Sequence, residues 1–228
     1  MITKRCFQSI FMLCMCLPLF AFTPGEVKIY PYAGGGISLN DSKDMGGDDL
    51  GNLLYGDPTM FGASAHRPLL AYSLGGMVDY FLTESIAIST GLSYDYLPSK
   101  IVYEGMTAPN DYDMEITIDF EYITVPAGIR YFFDEFFLIG GGLYYGFVLS
   151  DDIEVKYGPD KEKSGLDSRD DLGFFVDMGL NFNVSENGSI ITILRYKRGL
   201  RYVYSEEDVV TDIRISSLEL NIGYGFRI

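Results

Sequence analysis

The sequence predicts an all-β protein, an eight-stranded antiparallel up-and-down transmembrane β-barrel. Three observations lead to this prediction. Eight stretches alternate apolar with small or polar residues, which is typical of strands with two different faces. The connections between them are alternately long and short, as in membrane barrels. Beyond residue 23, no apolar run approaches the roughly 18 to 20 residues that a membrane-spanning helix needs.

The composition favours strands and turns and gives little support to catalysis. The 228 residues suffice for one domain of ordinary size and include 26 glycines, 18 tyrosines and 16 phenylalanines. A formal charge of -15 argues against a nucleic-acid partner, which requires clustered lysine and arginine. With a single histidine, the chain has few side chains suited to acid–base catalysis or metal binding.

The first element, residues 1–23, is predicted to be a cleaved signal peptide that precedes a barrel domain at 24–228. Lys4 and Arg5 form a basic start, and an apolar run follows as far as Phe22. Small residues suitable for a cleavage site occur at Ala21, Thr23 and Gly25. We therefore expect the mature chain to begin between Phe22 and Glu26.

All three cysteines fall inside this leader, so the mature chain should have no disulfide, zinc thiolate or cysteine nucleophile. A lipidated cysteine normally follows a small residue. Here Leu13 precedes Cys14 and Met15 precedes Cys16, which disfavours lipidation.

Eight strands follow the leader, and the third, sixth and eighth alternate most cleanly. Their predicted ranges are 28–40, 69–82, 85–97, 116–133, 136–150, 171–184, 189–203 and 213–228. The gaps between them measure about 28, 2, 18, 2, 20, 4 and 9 residues, so tight turns lie at one end of the meander and long loops at the other. An even number of strands then leaves both termini at the turn end.

Alternation alone does not tell a membrane barrel from a soluble lipocalin-like one. Stretches of 12 to 18 residues are long for soluble strands, which average about 5 or 6, and are long enough to cross a membrane when tilted. The predicted inner faces carry charges that could pair across a narrow lumen, namely Asp79, Asp95, Asp177, Glu219, Arg130, Arg195, Lys197, Arg201 and Arg227.

Aromatic residues near the strand ends suit an interfacial girdle at headgroup depth. They are Tyr72, Tyr80, Tyr94, Tyr96, Tyr131, Phe133, Phe137, Tyr196, Tyr202 and Tyr224.

Two strands fit the scheme less well. The first contains Gly34, Gly35 and Gly36, and its sequence does not show which side chains face the lumen and which face lipid. The fourth would turn Asp119 and Glu121 toward lipid, unless they lie above the bilayer or a bulge near Tyr122 changes the phase.

Two segments make the sequence resemble a known family. Residues 121–132 (EYITVPAGIRYF) and 137–146 (FLIGGGLYYG) are similar to the bacterial outer-membrane β-barrel domain family that includes PorT-like proteins. Residues 194–200 and 218–226 resemble its last two strands. The resemblance covers nearly the whole mature chain and implies the architecture of the small OmpX, OmpA and OmpW-type barrels. It says little of function, because the family is functionally mixed.

The last strand also resembles the signal that such barrels present to the barrel-assembly machinery, through Asn221, Gly223, Phe226 and Ile228. Many members of the family end on an aromatic residue, whereas this chain ends on isoleucine. The resemblance implies that this machinery and outer-membrane lipid are partners.

Other motifs are better explained without chemistry. The glycine runs 34–36 and 140–142 open no helix, so phosphate binding is disfavoured. His66 has no cysteine partner and is expected to be an ordinary loop residue. Acidic clusters near Asp41, Asp151 and 167–171 lack the spacing of a calcium loop. We predict no catalytic residue, no metal site and no cofactor.

The predicted function is that of a non-enzymatic outer-membrane barrel, monomeric, with loops 40–68, 98–115 and 150–170 mediating adhesion or antigenic display. One alternative is an OmpW-type conduit for small apolar molecules, which Pro126 within a strand could favour through a local opening. Another is a soluble periplasmic lipocalin-like binder.

Overall fold

The computed structural model describes residues 22–39, 41–43, 64–103, 114–133, 136–157, 159–165, 168–201, 204–206 and 209–228. Within these ranges the chain forms strands and turns, and it contains no helix that could cross a membrane.

The strands vary greatly in length. They are β1 (Val27–Ser38), β2 (Asp41–Lys43), β3 (Ser64–Arg67), β4 (Leu69–Phe81), β5 (Ile86–Tyr96), β6 (Ser99–Tyr103), β7 (Met114–Phe132), β8 (Phe137–Tyr157), β9 (Asp160–Gly165), β10 (Asp171–Asn183), β11 (Gly188–Gly199), β12 (Tyr204–Glu206), β13 (Val209–Arg214) and β14 (Ser216–Arg227).

The eight longest strands close into the predicted barrel. Each of β1, β4, β5, β7, β8, β10, β11 and β14 pairs antiparallel with the next, and β14 returns to β1, where Ala33 opposes Ile222. Closure pairs the backbone polar groups of each strand on both sides, which a segment in lipid requires. The eight-stranded prediction is confirmed.

The predicted long loops contain strands of their own. The strand β6 pairs with β7, β3 pairs with β6, and β9 pairs with β8, where Val155 opposes Glu162. A separate sheet is formed by β12, β13 and β2. We call β2, β3, β6, β9, β12, β13, residues 114–120 of β7 and residues 151–157 of β8 the loop-side extension.

The prediction that segments 98–115 and 150–170 are loops is wrong for residues 99–103, 114–115, 151–157 and 160–165, which lie in strands. Inward apolar residues continue there, since Ile101 is buried and Ile153 and Val155 pack against the same interior. Charged residues between these apolar positions conceal the pattern in the sequence.

The apolar faces point outward, as predicted. Outward Leu92, Met178 and Ile222 are each more than half exposed, whereas inward Ser93 and Asp177 are buried. A soluble lipocalin would bury the apolar face inside, so that alternative is wrong.

The height of the apolar band fits a membrane. Along β7 and the residue after it, the outward apolar side chains run from Ile123 to Phe133. At about 3.4 Å per residue and a tilt of about 40°, this distance rises by roughly 26 Å, close to the apolar band of about 25 Å in membrane barrels.

Asp119 and Glu121 of β7 face outward without any change of phase. A bulge does occur, but on β8, because Glu121 opposes Ser150 while Tyr122 opposes Val148. Phe120 and Tyr122 both remain buried. Asp119 and Glu121 therefore lie beyond Ile123 on the loop side, and the hypothesis of a phase change on β7 is wrong.

Aromatic pairs mark both edges of the band. Tyr72 stacks on Tyr96 on the loop side with ring centroids 4.9 Å apart, and Tyr131 meets Phe133 edge to face on the turn side at 4.9 Å. The Tyr96 hydroxyl donates a hydrogen bond of 2.7 Å to Asp119. Tyr202, also predicted for the girdle, lies outside the described residues.

Candidate functional site

The lumen is crossed by a buried ionic network near its middle. Arg130 of β7 lies 3.2 Å from Asp79 of β4 and 2.6 Å from Asp177 of β10. Arg195 of β11 donates two further hydrogen bonds to Asp177, of 2.8 and 2.9 Å. The Tyr30 hydroxyl of β1 donates to Asp79 at 3.0 Å. One network thus links five strands.

A second network lies nearer the loop side. Lys197 of β11 lies 2.9 Å from Asp95 of β5 and 2.8 Å from Glu219 of β14. Ser217 donates a hydrogen bond of 2.6 Å to the same Glu219 carboxylate. Tyr144 donates one of 2.5 Å to buried Asp171. Each of these charged groups has an identified partner, which is what makes their burial tolerable.

Apolar clusters lie at both ends of the lumen. On the turn side, Phe22, Phe81, Phe132 and Leu138 are at most 1% exposed. On the loop side, the two sheets of the extension face each other across a shared core that includes Ile101, Ile116, Ile118, Phe120, Ile213 and Ile215. The ionic networks therefore lie between two apolar plugs.

Among the described residues, the free space found between the two plugs is small. A cavity of about 10 Å³ lies beside Tyr32, Met77 and Arg195. That volume holds about one water molecule. The space is too small for a solute to occupy.

Seven of the nine charges predicted on the inner faces are buried inside the barrel. They are Asp79, Asp95, Asp177, Glu219, Arg130, Arg195 and Lys197.

The other two predicted inner-face charges are not lumenal. Arg201 is exposed and lies over the Tyr145 ring at 5.9 Å, because β11 ends at Gly199 and the chain has already left the wall. Arg227 lies at the turn-side mouth, 3.5 Å from Glu26.

The sequence analysis missed two lumenal charges, Lys28 and Asp171, and it placed Asp171 in a solvated acidic cluster. Lys28 of β1 is fully buried and donates a hydrogen bond to Asn181. Its signal was available, because Lys28 is two residues from Tyr30 and four from Tyr32, and all three face inward. The glycines later in β1 hid this alternation.

The barrel wall has a local irregularity at Pro126. Between β5 and β7 the pairing passes from Thr90–Ala127 to Ser93–Thr124 and skips Gly91 and Leu92, which stand beside Val125 and Pro126. Proline has no N–H to donate. The Thr90 hydroxyl donates to the Pro126 carbonyl at 3.0 Å and bridges the two strands there, while the β7–β8 ladder continues through Pro126.

The loop-side extension carries ordered surface charge. Lys100 of β6 lies 2.9 Å from Glu115 of β7, and Lys156 of β8 lies 3.9 Å from the same carboxylate. The hydrogen bond from Lys100 lowers the pKa of Glu115 below its usual value. On the β8–β9 hairpin, the hydrogen bond with Asp152 raises the pKa of Lys163.

Most of the chain's negative charge belongs to the loop side. Segments 40–68, 98–115, 150–170 and 204–212 contain 20 acidic and 7 basic residues, so they supply -13 of the formal charge of -15. In the lumen, by contrast, four basic and five acidic residues are buried. The excess charge therefore belongs to the segments that connect the barrel strands at the loop side.

The motifs given no chemical role lie in strands. Glycines 34–36 belong to β1, and glycines 140–142 belong to β8. On β1, a Cβ at Gly36 would lie 2.0 Å from the Leu218 carbonyl oxygen. His66 lies in β3 opposite Ile101 rather than in a loop. Within the described ranges, no three acidic, cysteine or histidine residues are grouped to hold a metal ion.

A comparison with protein-family models identifies the family to which this barrel belongs. The model of the outer membrane protein beta-barrel domain matches residues 9–226. The chain belongs to this family. Like other members of the outer membrane protein beta-barrel domain family, it lies in the bacterial outer membrane. The narrower likeness to PorT-like proteins stays a prediction.

Several solved structures of outer-membrane proteins are similar to this chain. Ail, the attachment invasion locus protein of Yersinia pestis, is 17% identical, with 90% of this chain and 100% of Ail covered and a TM-score of 0.39. OprG of Pseudomonas aeruginosa is 12% identical, with 91% and 98% covered and a TM-score of 0.47. The outer membrane protein AlkL is 14% identical, with 91% and 92% covered and a TM-score of 0.47. No curated protein matches the sequence.

Proposed function

We propose that this protein is a non-enzymatic barrel with a closed lumen, and that its loop-side extension makes contact with molecules outside the cell. Adhesion and antigenic display are the activities that such a surface supports. The observation that carries the proposal is the filling of the lumen, where an ionic network that includes Arg130 and Asp177 lies between two apolar clusters.

A solute could pass only if this packing broke. It would have to separate Arg195 from Asp177 and displace aromatic rings such as Phe81 and Phe132. Leaving a buried charge without its partner costs several kcal/mol, on the order of 3 to 5. This cost argues against the conduit alternative, and the bridge from Thr90 to Pro126 leaves that alternative without a specific opening in the wall.

The extension has the chemistry of a contact surface. It is held by its own apolar core, and segments 40–68, 98–115, 150–170 and 204–212, which contain most of it, supply -13 of the formal charge. Opposite charges steer encounters between proteins and raise association rates. The partner that best fits such a surface carries positive charge.

The absence of catalytic function is also part of the proposal. Seven of the nine buried acids and bases of the lumen are paired with one another, which is the arrangement of structural ion pairs. Each is shut off from the exterior by the apolar clusters at the two ends of the barrel.

The partners expected from the sequence remain proposals too. Outer-membrane lipid would cover outward residues such as Leu74, which is 64% exposed. The barrel-assembly machinery would engage β14, whose outward face carries Phe226. A monomer is the expected state, because the closed barrel leaves no unpaired edge among its eight strands.

Adherence of whole cells tests the proposal. Bacteria that express the full chain are applied to epithelial monolayers and to wells coated with a basic or an acidic protein. A variant in which residues 151–169 are replaced by an Asn-Gly turn lacks the β8–β9 hairpin. We expect it to adhere less to the monolayer and to the basic protein, and we expect added salt to weaken binding by the unaltered chain.

A matched control alters the opposite end of the barrel. Ser185, Glu186 and Asn187 form the turn between β10 and β11, and replacing them with Asn-Gly should leave adherence unchanged. Both variants are first checked for folding by their heat-dependent mobility on gels. Adherence by the unaltered chain no greater than that of cells without it would contradict the proposal.

A further inference from the structure

The residue at the start of the described chain is built into the barrel. The Phe22 ring is 1% exposed and stacks on Phe81 with centroids 4.0 Å apart and an angle of 15° between the rings. It meets the Phe132 ring edge to face at 4.9 Å, and the Arg227 guanidinium lies over it at 4.9 Å. Phe22 therefore belongs to the apolar cluster that closes the turn side.

A short turn holds this ring in place. Gly25 has φ of +90°, a conformation that favours glycine, and its N–H donates to the Phe81 carbonyl at 2.8 Å. The Glu26 N–H donates to the Thr23 carbonyl at 2.9 Å, and the Thr23 N–H donates to the Glu26 carboxylate at 3.1 Å. The turn thus directs the chain back into the mouth of the barrel.

The same turn is joined to the other end of the chain. The Glu26 carboxylate lies 3.5 Å from Arg227, and the Val27 N–H donates to the Ile228 carbonyl at 3.3 Å. Residues 22–26 are therefore bonded to β4 and to the end of β14, which is the behaviour of part of the fold.

The sequence offers three small residues at which the leader could be cut, and the structure distinguishes their consequences. A cut after Thr23 fits the small-x-small pattern through Ala21, but it removes Phe22 and breaks a bond to Pro24, a tertiary amide. A cut after Gly25 removes the turn as well. Either cut would uncover the rings of Phe81 and Phe132.

We propose that signal peptidase hydrolyses the bond between Ala21 and Phe22, so that the mature chain begins with Phe22 and its ring seals the turn side of the lumen. Water adds across the amide bond. Ala21 leaves with the new carboxylate, and Phe22 keeps the new amine. Ala21 supplies the small residue before the cut, with Leu19 two positions earlier in place of a second small residue. This cut alone of the three retains the turn and the ring.

The test begins with the N-terminus of the natural product. The full chain is expressed in a Gram-negative host, the barrel is extracted from outer membranes, and its intact mass and N-terminal sequence are measured. We expect the first residue to be Phe22. A chain that begins at Pro24 or Glu26, or that keeps its leader, would overturn the proposal.

A second measurement tests the sealing role. Phe22→Ala is compared with Phe133→Ala, which removes the same ring from an outward position that is 56% exposed. After the mass of each variant confirms its start, we expect Phe22→Ala to lower the temperature of the gel-mobility transition more than Phe133→Ala. An equal or smaller decrease would refute the packing of Phe22, whatever the outcome for adherence.

Discussion

Individual residues of the lumen act through partners on other strands. Asp177 accepts hydrogen bonds from two guanidinium groups, Arg130 and Arg195, and all three side chains are buried. The sequence placed these residues on inner faces, but it could not pair them. Pairing depends on the strand register around the closed barrel, and that register brings together residues that are 18 and 47 positions apart.

Replacing Asp177 with asparagine should be strongly destabilising. The change leaves two buried guanidinium groups without their shared carboxylate, at a cost of about 3 to 5 kcal/mol in the free energy of unfolding. Urea titration in detergent micelles measures it. Asp152→Asn is the control, because Asp152 pairs with Lys163 at the surface and should lose less than about 1 kcal/mol. Equal losses for the two variants would contradict the structural role of the network.

A single glycine substitution tests the close packing of the wall. A Cβ at Gly142 would lie 2.2 Å from the Ala127 carbonyl oxygen, whereas a Cβ at Gly76 would meet nothing within 4 Å. Gly142→Ala should therefore lower the free energy of unfolding by about 1 to 3 kcal/mol. Gly76→Ala should change it by less than about 0.5 kcal/mol. The same urea titration compares them, and similar values would show that the wall has room at Gly142.

At the scale of elements, alternation predicted the eight barrel strands and missed what extends from them. The predicted strand 116–133 matches β7 (Met114–Phe132) closely, although Asp119 and Glu121 interrupt its apolar outward face. The prediction ended the next strand at Ser150, whereas β8 runs to Tyr157. Charged residues occupy the outward positions beyond Ser150, since the strand has left the lipid there. The prediction ended the strand where its outward side chains cease to be apolar, although the strand itself continues.

In the extension, Lys100 and Lys156 should lower the pKa of Glu115 to different extents. The hydrogen bond from Lys100 at 2.9 Å lowers the pKa of this carboxyl, and Lys156 at 3.9 Å adds less. Lys100→Gln should raise the pKa of Glu115, and Lys156→Gln should raise it by a smaller amount. Titration of the Glu115 carboxyl by ¹³C NMR measures both shifts, and the reverse order would contradict the geometry.

The lowered pKa also sets the direction of a stability change. A carboxyl whose pKa is lower in the folded state stabilises that state above its unfolded pKa, near 4.5, and the contribution is lost as pH falls through the folded value. Because Glu115 is about a third exposed, the contribution should stay below about 1 kcal/mol.

At the scale of the whole molecule, the barrel is a filled cylinder with three layers. Aromatic rings that include Phe22 close the turn side, ionic networks occupy the middle, and the apolar core of the extension closes the loop side. Composition and alternation predicted the cylinder and its polar interior. The plugs were not predicted, because Ile213 and Ile101 meet only when two distant hairpins fold over the same opening.

Conductance is the most direct test of the central claim that the lumen is closed. The mature protein is refolded in detergent, shown to change its gel mobility on heating, and inserted into planar lipid bilayers in concentrated KCl beside a porin as positive control. The filled lumen predicts no current steps above those of a protein-free bilayer. Reproducible steps that increase in number with added protein would show an open path and contradict the account.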